Sequence, residues 1–477
     1  MSAPLALSAG FVDYLPQLLD LAEHQPFLDA CAQPAKKSIR FNRLTTSPAR
    51  HHEIAAGHGW QLQPIPWCTE GYWLTGEETP GNALEHVAGG FYIQEASSML
   101  PVAVLQRLWP QQHGPSMPTR VLDMAAAPGS KTTQLGSWLA GNGTLVANEF
   151  AASRLKALYT NLSRCGVGNT ILTNHDGAII GDALPGWFDA VLLDAPCSGE
   201  GTIRKDAKAF ANWSLATIHE LAATQRRLLE SAFKALRPGG LLIYSTCSLN
   251  ALENEQLIEQ FCRDHGDAEC HDLRSLWPQL TTIHHPQGHL KIWPHRFDAE
   301  GFFVAALSKA ADAAHHPPAE ARLSPRFPYQ PLTAKELQRC RQQALDSQQL
   351  QLPEGDYWQR DGAIWLFPPA ARDLLGRLLT NRPGLKIGEI HGRELRLDHD
   401  AAIAFAPLLP RRIALDSEQA RAYLAGQDLD DDAGRKGDWL LCYQGLALGL
   451  VRAAQGRLRN RLPRDRVRQA TIAEVDN

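Results

Sequence analysis

The sequence of 477 residues has no excess of charge of either sign, because 47 Lys and Arg face 51 Asp and Glu, for a formal net charge of -4. Overall charge therefore gives no indication of a nucleic-acid-binding protein, and any basic surface must be local. No uncharged apolar run reaches the ~18 residues of a membrane span. Residues 1–13 also lack the basic start and small-residue end of a secretory signal. We therefore expect a cytoplasmic protein with no membrane contact.

The nine cysteines are scattered along the chain, and none lies in a Cys-x-x-Cys pair. An odd number without such pairs argues against a disulfide framework and a zinc finger, so no metal centre is expected. The sequence also has no internal repeat and no long low-complexity tract. Its composition, 44% hydrophobic and 21% charged, is typical of a globular protein with large buried cores.

Two stretches divide the chain into parts. Residues 310–326 are rich in Ala, His and Pro and predict a linker, and a Pro/Gly/Ser loop near 112–119 precedes a strong strand pattern. We predict an N-terminal subdomain, a central domain, the linker, a small intermediate module and a C-terminal domain. Their predicted boundaries are 1–112, 113–309, 310–326, 327–395 and 396–477.

Between residues 120 and 307, short apolar runs alternate with helical patterns. Residues 188–194 (FDAVLLD) are apolar through most of their length, as in a strand buried on both faces. A helical pattern over 213–236 precedes Pro238-Gly239-Gly240, which predicts its end, and Asn250 with Glu253 predicts a capping box for the next helix. The alternation predicts an α/β fold, with a mainly parallel sheet covered by helices on both faces. The other predicted strands are 121–124, 144–150, 170–174, 241–245, 289–293 and 301–307.

Small and acidic residues follow the first three predicted strands. Residues 123–132 (DMAAAPGSKT) open a helix, where small side chains let a ligand approach the backbone and its free N–H groups. Glu149 lies 20 residues after Gly129, where an acid meets ribose hydroxyls in nucleoside-binding folds. Asp176 follows the third strand. The set indicates an adenosine-containing ligand, although an ordinary α/β protein with turn glycines and helix-capping acids has the same pattern.

Two cysteines follow the next two strands. Cys197 lies in DAPCSGEG (194–201) and Cys247 in YSTCS (244–248). Active sites of open parallel sheets form at the carboxyl ends of strands, and helix N-termini there favour the reactive thiolate. A thiolate suits attack on an electron-poor carbon. On pattern alone, a redox pair, half of a metal site and simple core cysteines remain alternatives.

These motifs, in this order, closely resemble the Nop/Sun family of S-adenosylmethionine-dependent RNA (cytosine-5) methyltransferases. The resemblance covers roughly residues 36–307 and includes SIRFN, GFYIQEAS, GFFVA and the ENE that follows YSTCS. Most of the family has Pro-Gly-Gly-Lys where this chain has Pro128-Gly129-Ser130-Lys131. This form, with CSGEGTIRKD at 197–206, is most similar to the bacterial subgroup that acts on 16S ribosomal RNA.

The resemblance implies a fold and a set of residue roles. The fold is a methyltransferase-type Rossmann fold, a mixed seven-stranded sheet whose last strand is antiparallel, with an N-terminal α/β extension and a C-terminal PUA-like RNA-binding region. S-adenosyl-L-methionine is the implied cofactor. Glu149 would hold its ribose, Asp176 would lie beside the adenine, and Asp194 would sit where methyl donor meets base. The residues of the implied cofactor loop are Ala125, Ala126, Ala127, Pro128, Gly129, Ser130 and Lys131.

The same resemblance makes Cys247 the nucleophile and gives Cys197 a part in product release. Cytosine C5 is too poor a nucleophile to take a methyl group unaided, and thiolate addition at C6 makes C5 reactive. A hydrogen-bonding acid near N3, here Asp194, would stabilise the charge that develops on the ring. The pattern alone does not choose between the two thiols.

RNA contacts are expected at both ends of the chain. Lys36, Lys37, Arg40 and Arg43 lie close together in the N-terminal part. Near the C-terminus, residues 445–463 resemble the end of a PUA domain. The arginines of that region are Arg452, Arg457, Arg459, Arg461, Arg464, Arg466 and Arg468. Such a stripe can supply phosphate contacts, although a basic solvated tail would look alike.

We therefore predict a monomeric ribosomal RNA cytosine-5 methyltransferase that acts on the small subunit's RNA, free or within a 30S particle. Transfer RNA or DNA is the alternative substrate. A non-catalytic RNA-binding ribosome assembly factor is the alternative from another class, although the two cysteines argue against it.

Overall fold

The computed structural model describes residues 9–76, 78–204, 213–314 and 327–468. Most of the predicted linker thus falls outside the described residues. Within those ranges no helix is long and apolar enough to cross a bilayer. The N-terminal elements are α1 (Ala9–Leu18), α2 (Leu21–Cys31), β1 (Ser38–Phe41), α3 (Pro48–Gly57), β2 (Gln61–Ile65), β3 (Cys68–Thr75), α4 (Leu84–Val87), β4 (Phe91–Ile93) and α5 (Leu100–His113). The strands form one antiparallel sheet in the order β2-β3-β1-β4.

The central part alternates strands and helices, as predicted. Its elements are β5 (Arg120–Asp123), α6 (Ser130–Leu139), β6 (Thr144–Asn148), α7 (Leu155–Arg164), β7 (Thr170–Thr173), α8 (Ile180–Ala183), β8 (Phe188–Asp194), α9 (Leu215–Ala235), β9 (Leu236–Thr246), α10 (Glu255–Asp264), β10 (Ala268–Cys270), β11 (Leu290–Ile292) and β12 (Phe302–Lys309).

The C-terminal part contains two further five-stranded sheets. Its elements are β13 (Gln330–Pro331), α11 (Ala334–Gln348), β14 (Asp356–Arg360), β15 (Ala363–Phe367), α12 (Ala371–Leu374), β16 (Thr380–Arg382), β17 (Leu385–His391), β18 (Glu394–Leu397), α13 (His399–Ala404), β19 (Arg412–Leu415), α14 (Ser417–Leu424), β20 (Leu429–Asp430), β21 (Gly437–Tyr443), β22 (Leu446–Ala454) and β23 (Arg457–Asn460). The first sheet has the order β13-β14-β15-β17-β18 and the second β19-β21-β22-β23-β20.

The central sheet has five parallel strands in the order β7-β6-β5-β8-β9, and β12 pairs antiparallel with β9. The antiparallel last strand is therefore confirmed. The sheet has nine strands rather than the predicted seven. β10 and β11 both pair with β12, and β16, from the C-terminal part, pairs with β7.

Alternating residues of the strands enter two separate cores, one on each face of the sheet. Val121 and Leu145 pack in the core that includes α5, α6 and α7. Leu122 and Val146, their neighbours in sequence, pack in the core of α8, α9 and α10. Because both faces are covered, the strands read as nearly continuous apolar runs, as expected for a buried parallel sheet.

Two local predictions need correction. The helix ends before Pro238-Gly239-Gly240 as predicted, but the strand predicted at 241–245 begins earlier, because α9 ends at Ala235 and these three residues already belong to β9. The predicted capping box is displaced from the helix. Asn250 Oδ1 accepts from the Glu253 backbone N–H at 2.9 Å, but α10 begins only at Glu255. The side chain of Glu253 points to a different loop, as described below.

The C-terminal part docks on the central domain through a buried carboxylate. Asp400, 5% exposed, accepts from Tyr159 and Ser163 of α7 and from Arg382 Nη2 at 2.9 Å. Arg382 belongs to β16, the strand that extends the central sheet. The predicted intermediate module is therefore joined to the central domain by the pairing of β16 with β7, and Asp400 links Arg382 of that strand to two hydroxyl groups of α7.

Candidate active site

The two cysteines meet at the carboxyl ends of neighbouring parallel strands. Cys197 follows β8 and Cys247 follows β9, and their Sγ atoms lie 3.2 Å apart. Both side chains are partly exposed, whereas Cys31, Cys68 and Cys165 are buried. The hydrogen bond with Cys247 and burial both raise the pKa of the Cys197 thiol well above its ordinary value. The pair therefore favours Cys197 as the protonated donor and Cys247 as the acceptor.

Asp194, the last residue of β8, lies between the cofactor loop and β9. Its Oδ2 accepts from Lys131 Nζ at 2.7 Å and its Oδ1 from Ser245 Oγ at 2.7 Å. Ser245 is the register partner of Asp194 in the β8–β9 pairing. Burial alone would lower the pKa of Lys131, but the Asp194 carboxylate outweighs it and the pKa is raised. The ammonium group therefore stays charged beside the thiols. The sequence placed Lys131 in the cofactor loop and gave no sign of this ion pair.

Each of the two loops that carry the cysteines has a glutamate that accepts hydrogen bonds from the other loop. Glu200, from the Cys197 loop, accepts from the backbone N–H groups of Leu249 and Asn250 at 2.7 and 3.0 Å. Glu253, from the Cys247 side, accepts from the Ser198 backbone N–H at 3.0 Å. Both carboxylates are 0% exposed. Sequence reasoning missed this network, because Glu253 has the spacing of a helix cap.

A glycine contact brings the same loops together along the backbone. The Gly201 N–H donates to the Cys247 carbonyl at 2.8 Å, and the Gly301 N–H donates to the Gly201 carbonyl at 2.9 Å. A Cβ atom on Gly201 would lie 2.1 Å from the Gly301 carbonyl oxygen. Only glycine therefore permits this approach, which brings the DAPCSGEG loop against the start of GFFVA.

The predicted cofactor loop joins β5 to α6. Gly129 precedes α6 with φ of 106°, in the left-handed region that glycine adopts without strain. Asp123, at the end of β5, accepts from Thr132 Oγ1 at 2.7 Å, but its Oδ1 is buried without a partner. Burial raises the pKa of Asp123 to about 7. The loop thus has a permissive turn, a helix N-terminus and an unsatisfied acceptor.

The two further predicted ligand acids lie on the next strand ends. Glu149, 4% exposed, accepts from the Ala127 backbone N–H at 3.1 Å, so it touches the cofactor loop directly. Asp176 follows β7 and caps a short 3-10 helix by accepting from the Ala178 N–H at 3.0 Å. Exposed apolar side chains stand beside both acids. Phe150 is 74% exposed and Ile179 is 46% exposed.

The N-terminal basic cluster is not a single free surface, so the prediction needs correction. Arg40 is 3% exposed and donates to Gln94 Oε1 at 2.8 Å and to Thr133 Oγ1 on α6 at 2.9 Å. It holds the N-terminal sheet against the helix of the cofactor loop and is too buried to meet RNA. Lys36 and Arg43 form ion pairs with acidic neighbours, whereas Lys37 is exposed.

The C-terminal arginine stripe divides into buried and exposed members. Arg461 and Arg466 have side chains only 12% exposed, and they donate to Asp438 at 2.6 Å and to the Thr160 carbonyl at 3.1 Å. As phosphate contacts these two predictions are wrong, because the Arg461 guanidinium is held inside the C-terminal domain and that of Arg466 joins this domain to the central one. Arg452 and Arg459 are exposed and directly opposite each other in the β22–β23 pairing.

No group of three or more His, Cys, Asp or Glu side chains suited to a metal ion occurs in the ranges that the structure describes. The fold and the strand-end loops define a methyltransferase with a Rossmann-type catalytic domain. Residues 109–308 match the family model described as 16S rRNA methyltransferase RsmB/F. The chain is 42% identical to ribosomal RNA small subunit methyltransferase F of Erwinia tasmaniensis, over 97% of both chains. It therefore belongs to the ribosomal RNA small subunit methyltransferase F family.

Further comparisons agree with this assignment. The chain is also 42% identical to the protein of that name from Vibrio cholerae, over 99% of both chains. A methyltransferase homologue from Pyrococcus horikoshii is 34% identical, with a TM-score of 0.55 over 64% of this chain and 96% of that one. Other models match as N-terminal (7–96), pre-PUA (329–405) and PUA (410–468) domains. The resemblance to the Nop/Sun family and its bacterial methyltransferase F subgroup is confirmed.

Proposed function

We propose that this chain transfers a methyl group from S-adenosyl-L-methionine to C5 of a specific cytidine in 16S ribosomal RNA, through a covalent bond between Cys247 and C6. One observation carries the proposal. Two thiols 3.2 Å apart stand at the ends of β8 and β9, next to the Asp194–Lys131 ion pair. A nucleophile, a second thiol and a charged pair are the groups that activation of a cytosine ring requires.

The residues at the ends of β5, β6 and β7 fit S-adenosylmethionine. The loop from Ala125 to Lys131 has only small side chains and a proline before Lys131, and it runs into the N-terminus of α6. The buried Oδ1 of Asp123 is an acceptor without a donor among the residues that the structure describes. Glu149 and Asp176 supply acceptors for hydroxyl and amino groups, and Phe150 and Ile179 offer apolar contact to a purine ring. When bound, the cofactor supplies an electrophilic methyl group.

The reaction balances with the groups present. The thiolate of Cys247 forms a bond to C6, and the electron pair of the C5–C6 double bond moves to C5. The ring takes up a proton from solvent at N3 as the thiolate adds, and Asp194 is placed to accept a hydrogen bond from that N–H while Lys131 holds the carboxylate. This proton returns to solvent when the ring double bond re-forms. C5 then forms its bond to the methyl carbon, whose former bond breaks with its electrons staying on the donor sulfur.

Cys197 completes the cycle. Its raised pKa depends first on the hydrogen bond with Cys247, and this cause disappears once the Cys247 sulfur is bonded to C6. Cys197 can then release its proton to solvent and take the proton from C5. As that C–H bond breaks, the double bond re-forms, the S–C6 bond breaks and Cys247 leaves as thiolate. The original thiol pair is restored.

RNA binding is assigned to the exposed members of the arginine stripe. Arg452 and Arg459 are like charges directly opposite each other on two strands. Arg452 is paired with Glu394 at 3.2 Å and with Asp438 at 3.5 Å. Arg459 has no hydrogen-bond or ion-pair partner among the described residues. Phosphate groups of the substrate RNA would supply the missing negative charge. The substrate is the RNA of the small subunit, free or within a 30S particle, and the enzyme acts as a cytoplasmic monomer without a metal.

Mapping of 5-methylcytosine in total RNA tests this function. Cells that lack the protein should lose the modification at one position of 16S ribosomal RNA, and the chain with Cys247→Ala should not restore it. Loss of the base from transfer RNA instead would identify another substrate. An unchanged RNA with a ribosome assembly defect would support the non-catalytic alternative.

A further inference from the structure

We propose that Glu253, acting with Gln225, is a positioning residue that holds Cys197 against Cys247 and so enables product release. The inference rests on the proposed function, in which Cys197 takes the C5 proton. It concerns a side chain that lies behind the thiols and is wholly buried, so Glu253 itself does not meet the substrate.

The two residues hold both chain neighbours of Cys197. Gln225 Nε2, on α9, donates to the Pro196 carbonyl at 2.9 Å. The Ser198 backbone N–H donates to Glu253 Oε1 at 3.0 Å. Gln225 Nε2 also donates to Glu253 Oε1 at 2.7 Å, so the two side chains form one unit. Because the backbone is hydrogen-bonded on both sides of Cys197, the position from which its side chain extends toward Cys247 is fixed.

The loop that follows Cys247 is held by the same group of hydrogen bonds. The distance between the two Sγ atoms therefore depends on these bonds. Asn250 Nδ2 donates to Glu253 Oε2 at 2.5 Å and to Glu200 Oε1 at 3.0 Å. Asn250 therefore links the two glutamates, and Glu200 in turn accepts from backbone N–H groups just after Cys247. A buried carboxylate is stable only when such donors surround it, so loss of its charge must rearrange the loops that supply them.

The charge of Glu253 also acts on Cys197. After the contact with Cys247 and burial, the nearby Glu253 carboxylate is a further cause that raises the pKa of the Cys197 thiol. A negative charge there keeps Cys197 protonated in the resting enzyme, so that it donates to Cys247 rather than competing with it as a nucleophile. Position and protonation state are thus determined by the same side chain.

Glu253→Gln tests the proposal, because it keeps the shape but places an NH₂ group opposite donors. The first measurement is cross-linking of the two thiols as a disulfide by diamide, with the Cys197–Cys247 peptide identified by mass spectrometry. Cross-linking of the pair should slow by up to about a hundredfold in the variant, as expected for a displacement of about 1 Å. Glu255→Gln is the matched control. Glu255 is also buried, and it pairs with Lys291 at 2.7 Å outside the network, so its change should leave the cross-linking rate as in the wild type.

The second measurement is the RNA adduct on a denaturing gel. Glu253→Gln should accumulate the Cys247–RNA adduct as Cys197→Ala does, while S-adenosylmethionine affinity stays within about twofold of the wild type. If Glu253 only stabilised the fold, Glu253→Gln would disturb both cysteines, and less adduct would form instead of more. Gln225→Met, which retains the carboxylate, should show both effects more weakly and serves if the first variant does not fold.

The two measurements separate the possible failures. Wild-type cross-linking rates in both folded variants would overturn the positioning role, whatever the adduct shows. Slower cross-linking together with no adduct in Cys197→Ala would leave the positioning role standing and contradict the proposed function of Cys197 instead.

Discussion

Lys131 Nζ donates to Asp194 Oδ2 at 2.7 Å, and this contact joins the helix that follows the cofactor loop to the strand end beside the thiols. The side chain of Lys131 is 9% exposed and that of Asp194 is 29% exposed. The pair is therefore shielded on one side and open on the other. Under the proposed function, the methyl donor and the target base meet across it.

Lys131→Met should leave the Asp194 carboxylate with Ser245 as its remaining partner. We expect a loss of about 1–3 kcal/mol in the free energy of unfolding, less than for a fully buried pair because Asp194 is partly solvated. A double-mutant cycle with Asp194→Asn, measured by chemical unfolding, isolates the coupling. Additive effects of the two substitutions would show that the ion pair contributes no stability.

Glu149→Ala should weaken binding of S-adenosylmethionine by about 1–3 kcal/mol, because acceptors for the ribose and for the Ala127 N–H are lost together. Isothermal titration calorimetry measures the change directly. Glu149→Gln keeps one acceptor oxygen and should lose less. If Glu149→Ala binds with wild-type affinity, Glu149 is not part of the cofactor site.

Much of the central domain could be predicted from the sequence, because its strands are local patterns with a strong periodicity. The run at 188–194 has the bounds that the structure gives to β8. The strands β10 and β16 could not be predicted this way. Each has three residues, and β16 is a strand only because α13 and α7 hold it against the edge of the sheet.

The site residues also differ in whether the sequence could predict their positions. Strand-end positions placed Cys197, Cys247, Asp194 and Glu149 near one another, since parallel strands end at one edge. Contacts between side chains that are distant in the sequence could not be predicted, because they depend on how the domains pack. Arg40 and Arg461 look like surface charges in the sequence. Arg40 is buried against an acceptor from another domain, and Arg461 is buried against Asp438 of its own C-terminal domain.

Asp123 should make stability depend on pH. Burial raises its pKa from the ordinary 3.8 to about 7 in the folded protein, so the folded state holds a proton that the unfolded state loses. Its contribution is therefore complete below pH 4 and is lost as pH rises to about 7. The wild type should lose on the order of a few kcal/mol relative to Asp123→Asn across this range. Urea unfolding at pH 4.5 and 7.5 checks it, and parallel behaviour of the two proteins would contradict it.

Arg452→Gln and Arg459→Gln should weaken RNA binding with little effect on folding, because both side chains are exposed. The slope of log affinity against log salt should fall by about one per lost phosphate contact. Arg339→Gln, an exposed arginine on α11, is the control and should keep the slope. Arg461→Gln should instead lower the unfolding temperature, because the buried Asp438 carboxylate loses the nearer of its two arginine partners. A wild-type slope in the Arg452/Arg459 variant would show that this surface does not bind phosphate.

The two cysteines should not be interchangeable. Cys247→Ala has no sulfur to add to C6, so it should neither methylate RNA nor form a covalent adduct. Cys197→Ala keeps the nucleophile and can still methylate, but the C5 proton has no thiolate to receive it and release should slow. The enzyme should then remain attached to RNA as a slower band on a denaturing gel, and the added change Cys247→Ala should remove that band.

Cys262→Ala is the control for these variants, since Cys262 lies in α10, is as partly exposed as the active pair and takes no part in the proposed reaction. It should turn over normally without an adduct. The reverse pattern, an adduct in Cys247→Ala and none in Cys197→Ala, would exchange the two roles. Full activity in both single variants would leave the 3.2 Å thiol contact as a structural feature, and the covalent mechanism would be wrong. The variant in which the band appears thus decides which of the two thiols is the nucleophile.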